Sequence, residues 1–219
     1  MNGLATTTTM VDTLLLKAGV RRNLAVDLAL IVGFSWFIVL CARISFLIPG
    51  TAVPISGQTL AVLLAGALLG SRRGALSMMA YLAQGAVGLP VFAFTATMGY
   101  GGGVARFAGP TGGYLIGFVA AAFVVGFLAE RGWDRRFWTT ALAMLCGNAV
   151  IYLFGLPWLA RFFAPAWLSG WQLDFKYLDP TNGVLLAGLY PFIPGDLIKL
   201  VLAAVALPSG WALLSRLRG

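Results

Sequence analysis

Residues Phe137 to Ala160 read FWTTALAMLCGNAVIYLFGLPWLA, and no Asp, Glu, Lys or Arg interrupts these 24 residues. As a helix they rise about 36 Å, enough to cross a hydrocarbon core of about 30 Å. Lipid offers no hydrogen bonds to the backbone, so a helix is the default form for such a run. Five more apolar stretches flank it. Leu28 to Ile48 carries Arg43 as its only charge, and Gln58 to Gly70 is short and follows Pro54. Gly74 to Phe94 and Thr111 to Ala129 carry no charge. The last stretch runs from Gly183 to about Leu214 and holds Asp196 and Lys199.

The whole chain has the same character. Sixty per cent of its 219 residues are hydrophobic and 10% are charged, against about 25% charged in soluble domains. The expected fold is an all-α integral membrane protein, a single domain over residues 1–219 built as a bundle of six transmembrane helices. Residues 1–23 are expected as a flexible or interfacial N-terminal tail. The basic residues near the start precede a 21-residue apolar run, too long for the core of a cleavable signal.

The formal charge is +8. In a membrane chain such an excess reports basic cytoplasmic loops rather than nucleic acid. Lys17, Arg21, Arg22, Arg72, Arg73, Arg131, Arg135, Arg136, Arg216 and Arg218, ten of the 15 cations, fall on one side of a six-span topology. Arg43, Arg106, Arg161 and Lys176 fall on the other. Both termini are therefore expected in the cytoplasm.

Composition also excludes chemistry. The chain has no histidine, which removes Ser-His-Asp triads, histidine metal sites and histidine proton relays. Cys41 and Cys146 lie in apolar segments without metal-ligand spacing. No Walker A loop is present in the sequence. An enzyme is not expected, and neither is a cofactor or a metal.

Asp196 and Lys199 stand in YPFIPGDLIKLVL, Tyr190 to Leu202. Ionisable groups in a membrane segment cost roughly 2.5–3.5 kcal/mol each, so they come with a partner or a job. At i, i+3 the two share a helix face. One reading is an ion pair that only lets the helix insert. Another is a helix starting near Pro194, with Asp196 favoured by the dipole of its first turn. The functional reading is a carboxylate acceptor and an ammonium donor facing a cavity, matching the edge of a cyclic urea or amide.

A second constellation, GYGGGVARFAGPTGGY from Gly99 to Tyr114, has seven glycines in 16 residues. Arg106 within it is a candidate for gripping a carboxylate with backbone N–H groups beside it; the other reading is a glycine-rich hairpin opening a helix. Intramembrane polar residues form a third set: Gln58, Gln84, Asn148 and Tyr81. They read either as interhelical hydrogen bonds or as ligand contacts. Two long loops, Val91 to Pro110 and Arg161 to Gly183, lie on one face and suggest a lid over an outward pocket. They could equally rest on the membrane surface, anchored by Trp158, Trp167 and Trp171.

Three blocks now carry a resemblance. VPISGQTLAVLLAGALLGSRRGALSMMAYLAQGAVGLPVFA spans Val53 to Ala93, GPTGGYLIGF spans Gly109 to Phe118, and YPFIPGDLIKLVLAA spans Tyr190 to Ala204. In this order they resemble the BioY family, the biotin-specific substrate-binding (S) components of energy-coupling-factor (ECF) transporters. The resemblance implies a multi-pass protein of a bacterial inner membrane that captures biotin from outside. It implies a transmembrane coupling protein and a pair of cytoplasmic ATPases as partners, with membrane lipid around the bundle. The aspartate and lysine of the family's PGD-x-x-K block are associated with the ligand and fall here on Asp196 and Lys199. Arg106, Tyr114, Gln84, Tyr81 and Asn148 are the further substrate-binding candidates. An S component for another small vitamin and a biotin facilitator without ATPases are the alternatives.

Overall fold

The computed structural model describes residues 9–47, 53–95, 99–163 and 180–216. Helix dominates. α1 is Met10–Lys17, α2 Leu24–Arg43, α3 Gln58–Leu69 and α4 Ser71–Ala86. α5 is the short turn Ala105–Ala108, α6 is Gly112–Ala129 and α7 is Phe137–Ala160. α8 is Pro180–Gly188 and α9 is Ile193–Arg216. Two two-residue strands, β1 (Ser45–Phe46) and β2 (Ile55–Ser56), pair antiparallel in the connection between α2 and α3.

α2, α6, α7 and α9 are long and apolar enough to cross a membrane. α3 and α4 are shorter, at 12 and 16 residues. The boundaries follow local chemistry. Asn23 caps α2, its side chain accepting from the Val26 N–H at 2.9 Å. Gly70, at φ +86°, separates α3 from α4, a conformation that costs glycine least. α4 stops at Ala86, short of the expected Phe94, because Gly88 (φ +99°) and Pro90 follow. The expected last segment divides into α8 and α9. Pro194 falls in the first turn of α9, where its missing N–H removes no helical bond.

α6 is the most buried of the four long helices and α2 the least. α6 packs against α3, α4 and α7. Small residues make this possible: a Cβ on Gly66 of α3 would stand 2.4 Å from the Ala122 carbonyl oxygen of α6. A Cβ on Gly113 would stand 2.3 Å from Cβ of Trp158 on α7. These contacts fit the small-residue pattern of closely packed membrane helices.

One expectation is corrected. Within the stretch expected as a flexible or interfacial tail, residues 10–17 form a helix with Met10 and Thr13 buried. Thr9 caps it, accepting from the Asp12 N–H at 3.2 Å. Asp12 then reaches Arg73 of α4 at 2.8 Å, and Lys17 Nζ donates to the Leu214 carbonyl of α9 at 2.6 Å. Arg73 also stands 3.0 Å from Asp27 of α2. Polar ties to α4 and α9 hold α1 in place, and Arg73 links α4 onward to α2.

At the opposite end of the bundle, the starts of α3, α6 and α9 meet the second half of α7 and the loops around residues 53–56, 91–95 and 106–111. Most of the other long loop, residues 164–179, lies outside the described residues, so Trp167, Trp171 and Lys176 do too.

Candidate ligand-binding site

Asp196 is the fourth residue of α9, where its own N–H bonds the Phe192 carbonyl at 2.8 Å. Lys199 sits one turn further along. Its Nζ lies 3.2 Å from Asp196 Oδ1, and the side chains are 16% and 10% exposed respectively. Two other helices complete the network. Thr59, at the start of α3, accepts from Lys199 Nζ at 2.7 Å and approaches Asp196 Oδ1 at 3.5 Å. Tyr152 of α7 donates its hydroxyl to Asp196 Oδ2. A charge pair this buried persists where hydrogen bonds supplement the Coulomb attraction, and Thr59 and Tyr152 supply them.

The network forms one wall of a cavity. Phe92, Phe118, Ile151 and Phe192 supply apolar walls, and Tyr114 and Asn148 line it beside them. The empty space, including the mouth open to solvent, is about 630 Å³. Small-ligand sites of this kind are mostly apolar with a few convergent polar groups.

The sequence candidates divide. Asp196, Lys199, Arg106, Tyr114 and Asn148 all line this cavity. Tyr114 has already committed its hydroxyl to the Gly188 carbonyl at 2.9 Å, and its ring meets the Tyr152 ring edge-on at 6.3 Å between centroids. It therefore offers a ring face rather than a donor. Arg106 is 3% exposed. It donates to Thr95 Oγ1 at 2.6 Å and to the Ala93 carbonyl, tying the 93–95 segment to α5.

Gln84 and Tyr81 are not among the cavity-lining residues. Gln84 Nε2 donates to Ser35 Oγ of α2 at 2.9 Å. The Tyr81 hydroxyl accepts from Gln58 Nε2 at 2.6 Å and points to the Val91 carbonyl at 3.4 Å. Both act between helices or between helix and loop, the alternative role open to intramembrane polar residues. Thr59 and Tyr152 escaped the sequence reading. Tyr152 stands four residues after Asn148 on an otherwise neutral helix, and that i, i+4 spacing puts both on one face. Thr59 carried no comparable signal.

The arrangement pairs an acceptor with a donor in an aromatic-walled cavity. The BioY family profile matches residues 9–216. The chain belongs to the BioY family.

Among its relatives is the biotin transporter BioY of Rhizobium etli, 38% identical over 160 residues, covering 70% of this chain and 75% of that protein. The biotin transporter BioY of Thermotoga maritima is 37% identical over 172 residues, covering 78% of this chain and 88% of that one. A crystal structure of the S-component for biotin from an ECF-type ABC transporter superposes with a TM-score of 0.65 at 28% identity. It covers 89% of this chain and 91% of its own. The match of fold therefore extends over about nine tenths of both chains.

Proposed function

We propose that this BioY family member captures biotin and serves its uptake as the substrate-binding component of an ATP-driven ECF transporter. The observation that carries the reading is the Asp196–Lys199 pair, braced by Thr59 and Tyr152, on the wall of an aromatic-lined cavity. Biotin's ureido ring presents two N–H donors and one carbonyl acceptor. The carboxylate accepts from an N–H and the ammonium donates to the carbonyl. The apolar thioether ring and aliphatic chain match the Phe92, Phe118, Tyr114 and Phe192 walls. Arg106, at the side of the cavity lined by Thr95 and Ala93, is the cation we assign to the valerate carboxylate.

The membrane topology we assign is six spans. α2, α6, α7 and α9 are the long ones, and α3 and α4 complete the bundle. The side bearing ten of the 15 cations is cytoplasmic, with both termini, in a bacterial inner membrane. With no Walker A loop in the sequence, ATP hydrolysis falls to a pair of cytoplasmic ATPases acting through a transmembrane coupling protein.

The test is equilibrium binding of labelled biotin to the purified protein in detergent, with competition by unlabelled biotin, thiamine, riboflavin and other vitamins. The expected result is saturable biotin binding displaced by biotin and by none of the others. Displacement by another vitamin, with weak or absent biotin binding, would replace the ligand assignment.

A further inference from the structure

Among the described residues, six buried side-chain atoms have no hydrogen-bond partner, and they belong to Asp27, Arg73, Gln84, Asp134 and Asn148. Asn148 alone of these residues lines the ligand cavity. It is 6% exposed, and its Oδ1 receives no hydrogen bond. A buried carbonyl without a donor is costly, and native proteins keep one where something else supplies the donor. The interhelical role open to Asn148 from sequence would have given that oxygen a partner on a neighbouring helix.

Its position says what the donor is. Asn148 is one turn from Tyr152 on α7, about 6 Å along the axis, and Tyr152 holds Asp196. The orphan acceptor therefore belongs to the polar end of the cavity. The Asp196 carboxylate has limited spare capacity there: Oδ2 takes the Tyr152 hydroxyl, and Oδ1 faces Lys199 and Thr59. A cyclic urea presents N–H, C=O and N–H in sequence around one edge. Two acceptors and one donor are its complement, and the Asp196–Lys199 pair supplies one of each.

We infer that Asn148 is the third polar contact to the ureido ring. Its Oδ1 accepts one ring N–H, Asp196 accepts the other, and Lys199 donates to the ring carbonyl. The inference rests on the biotin reading above and adds to it a specificity for two ring N–H groups rather than one.

The experiment compares wild type with Asn148→Ala, purified in detergent. Ligands are biotin and the two biotin derivatives methylated at one or the other ring nitrogen; melting temperatures are taken without ligand. Asn148→Ala is expected to weaken biotin about tenfold. The ligand-free melting temperature is expected to stay near that of wild type, because the amide oxygen contributes no bond in the free protein. One methylated derivative is expected to bind wild type weakly and to lose nothing further in Asn148→Ala, since the N–H that Asn148 would take is already gone.

Wild-type affinity for biotin in Asn148→Ala would overturn the inference while leaving the biotin reading intact. An equal further loss for both methylated derivatives would overturn it as well. A wild type that does not bind biotin sinks both. Should the alanine variant fail to fold, Asn148→Ser keeps a small polar side chain, and the same comparison across the derivatives decides.

Discussion

Gln84 and Asn148 are both amides in apolar helices, and nothing local in the sequence separates them. In the folded chain Gln84 bonds Ser35 while Asn148 lines the cavity. Ser35 keeps its own bond to the Val32 carbonyl at 2.7 Å, so losing Gln84 strands no donor. Gln84→Leu is expected to leave biotin affinity within about twofold of wild type and to cost about 0.5–1.5 kcal/mol of stability. Binding and thermal melting, measured side by side, check both. Asp196 and Lys199 were legible as a pair because they are the only charges in a long apolar stretch and stand three apart. Thr59 and Tyr152 were not, because their contact with Asp196 depends on how α3 and α7 are set against α9. That register is invisible in one sequence.

Helices and their breaks were legible to different degrees. All six apolar segments contain helix, and glycine and proline account for the ends of α4 and the break before α9. α1 was missed because what holds it lies far away in sequence: Arg73 of α4 and Leu214 of α9. Its anchor is pH-sensitive in a stated direction. Burial is the largest single influence on Asp12 and would raise its carboxyl. Hydrogen bonds from Arg73 and Thr9, with the charges of Arg73 and Arg22, outweigh burial and hold the carboxyl below its usual range. A depressed folded value means the stabilisation is complete above the unfolded pKa of about 3.9 and fades as pH falls through the folded value. Hydrogen exchange of residues 10–17 is expected to be slow at neutral pH. After correction for the intrinsic rate, it should speed up below about pH 4. Asp12→Asn should show the faster exchange already at neutral pH and little further change with acid. Protection that does not depend on pH in the wild type would contradict the role given to Asp12.

The molecule as a whole is a helical bundle with the Asp196–Lys199 network and its cavity at one end and the Asp12–Arg73–Asp27 network at the other. The three sequence blocks that carried the family resemblance contribute to the cavity end directly. Val53 to Ala93 brings Thr59 and Phe92, Gly109 to Phe118 brings Tyr114 and Phe118, and Tyr190 to Ala204 brings Phe192, Asp196 and Lys199. α7 lies outside all three blocks, which is why Tyr152 and the position of Asn148 had to come from the folded chain. The central claim is that a buried carboxylate, braced from two other helices, reads the ligand. The most direct measurement is binding of labelled biotin to purified wild type and to Asp196→Asn, with melting curves to show that both are folded. Tight binding to wild type and a loss of about tenfold or more in the variant is the predicted result, since a hydrogen bond to a charged group contributes roughly 1.5–3 kcal/mol. Equal affinity in two folded proteins would contradict it, and would leave Asp196 with a structural role only, as the partner of Lys199, Tyr152 and Thr59.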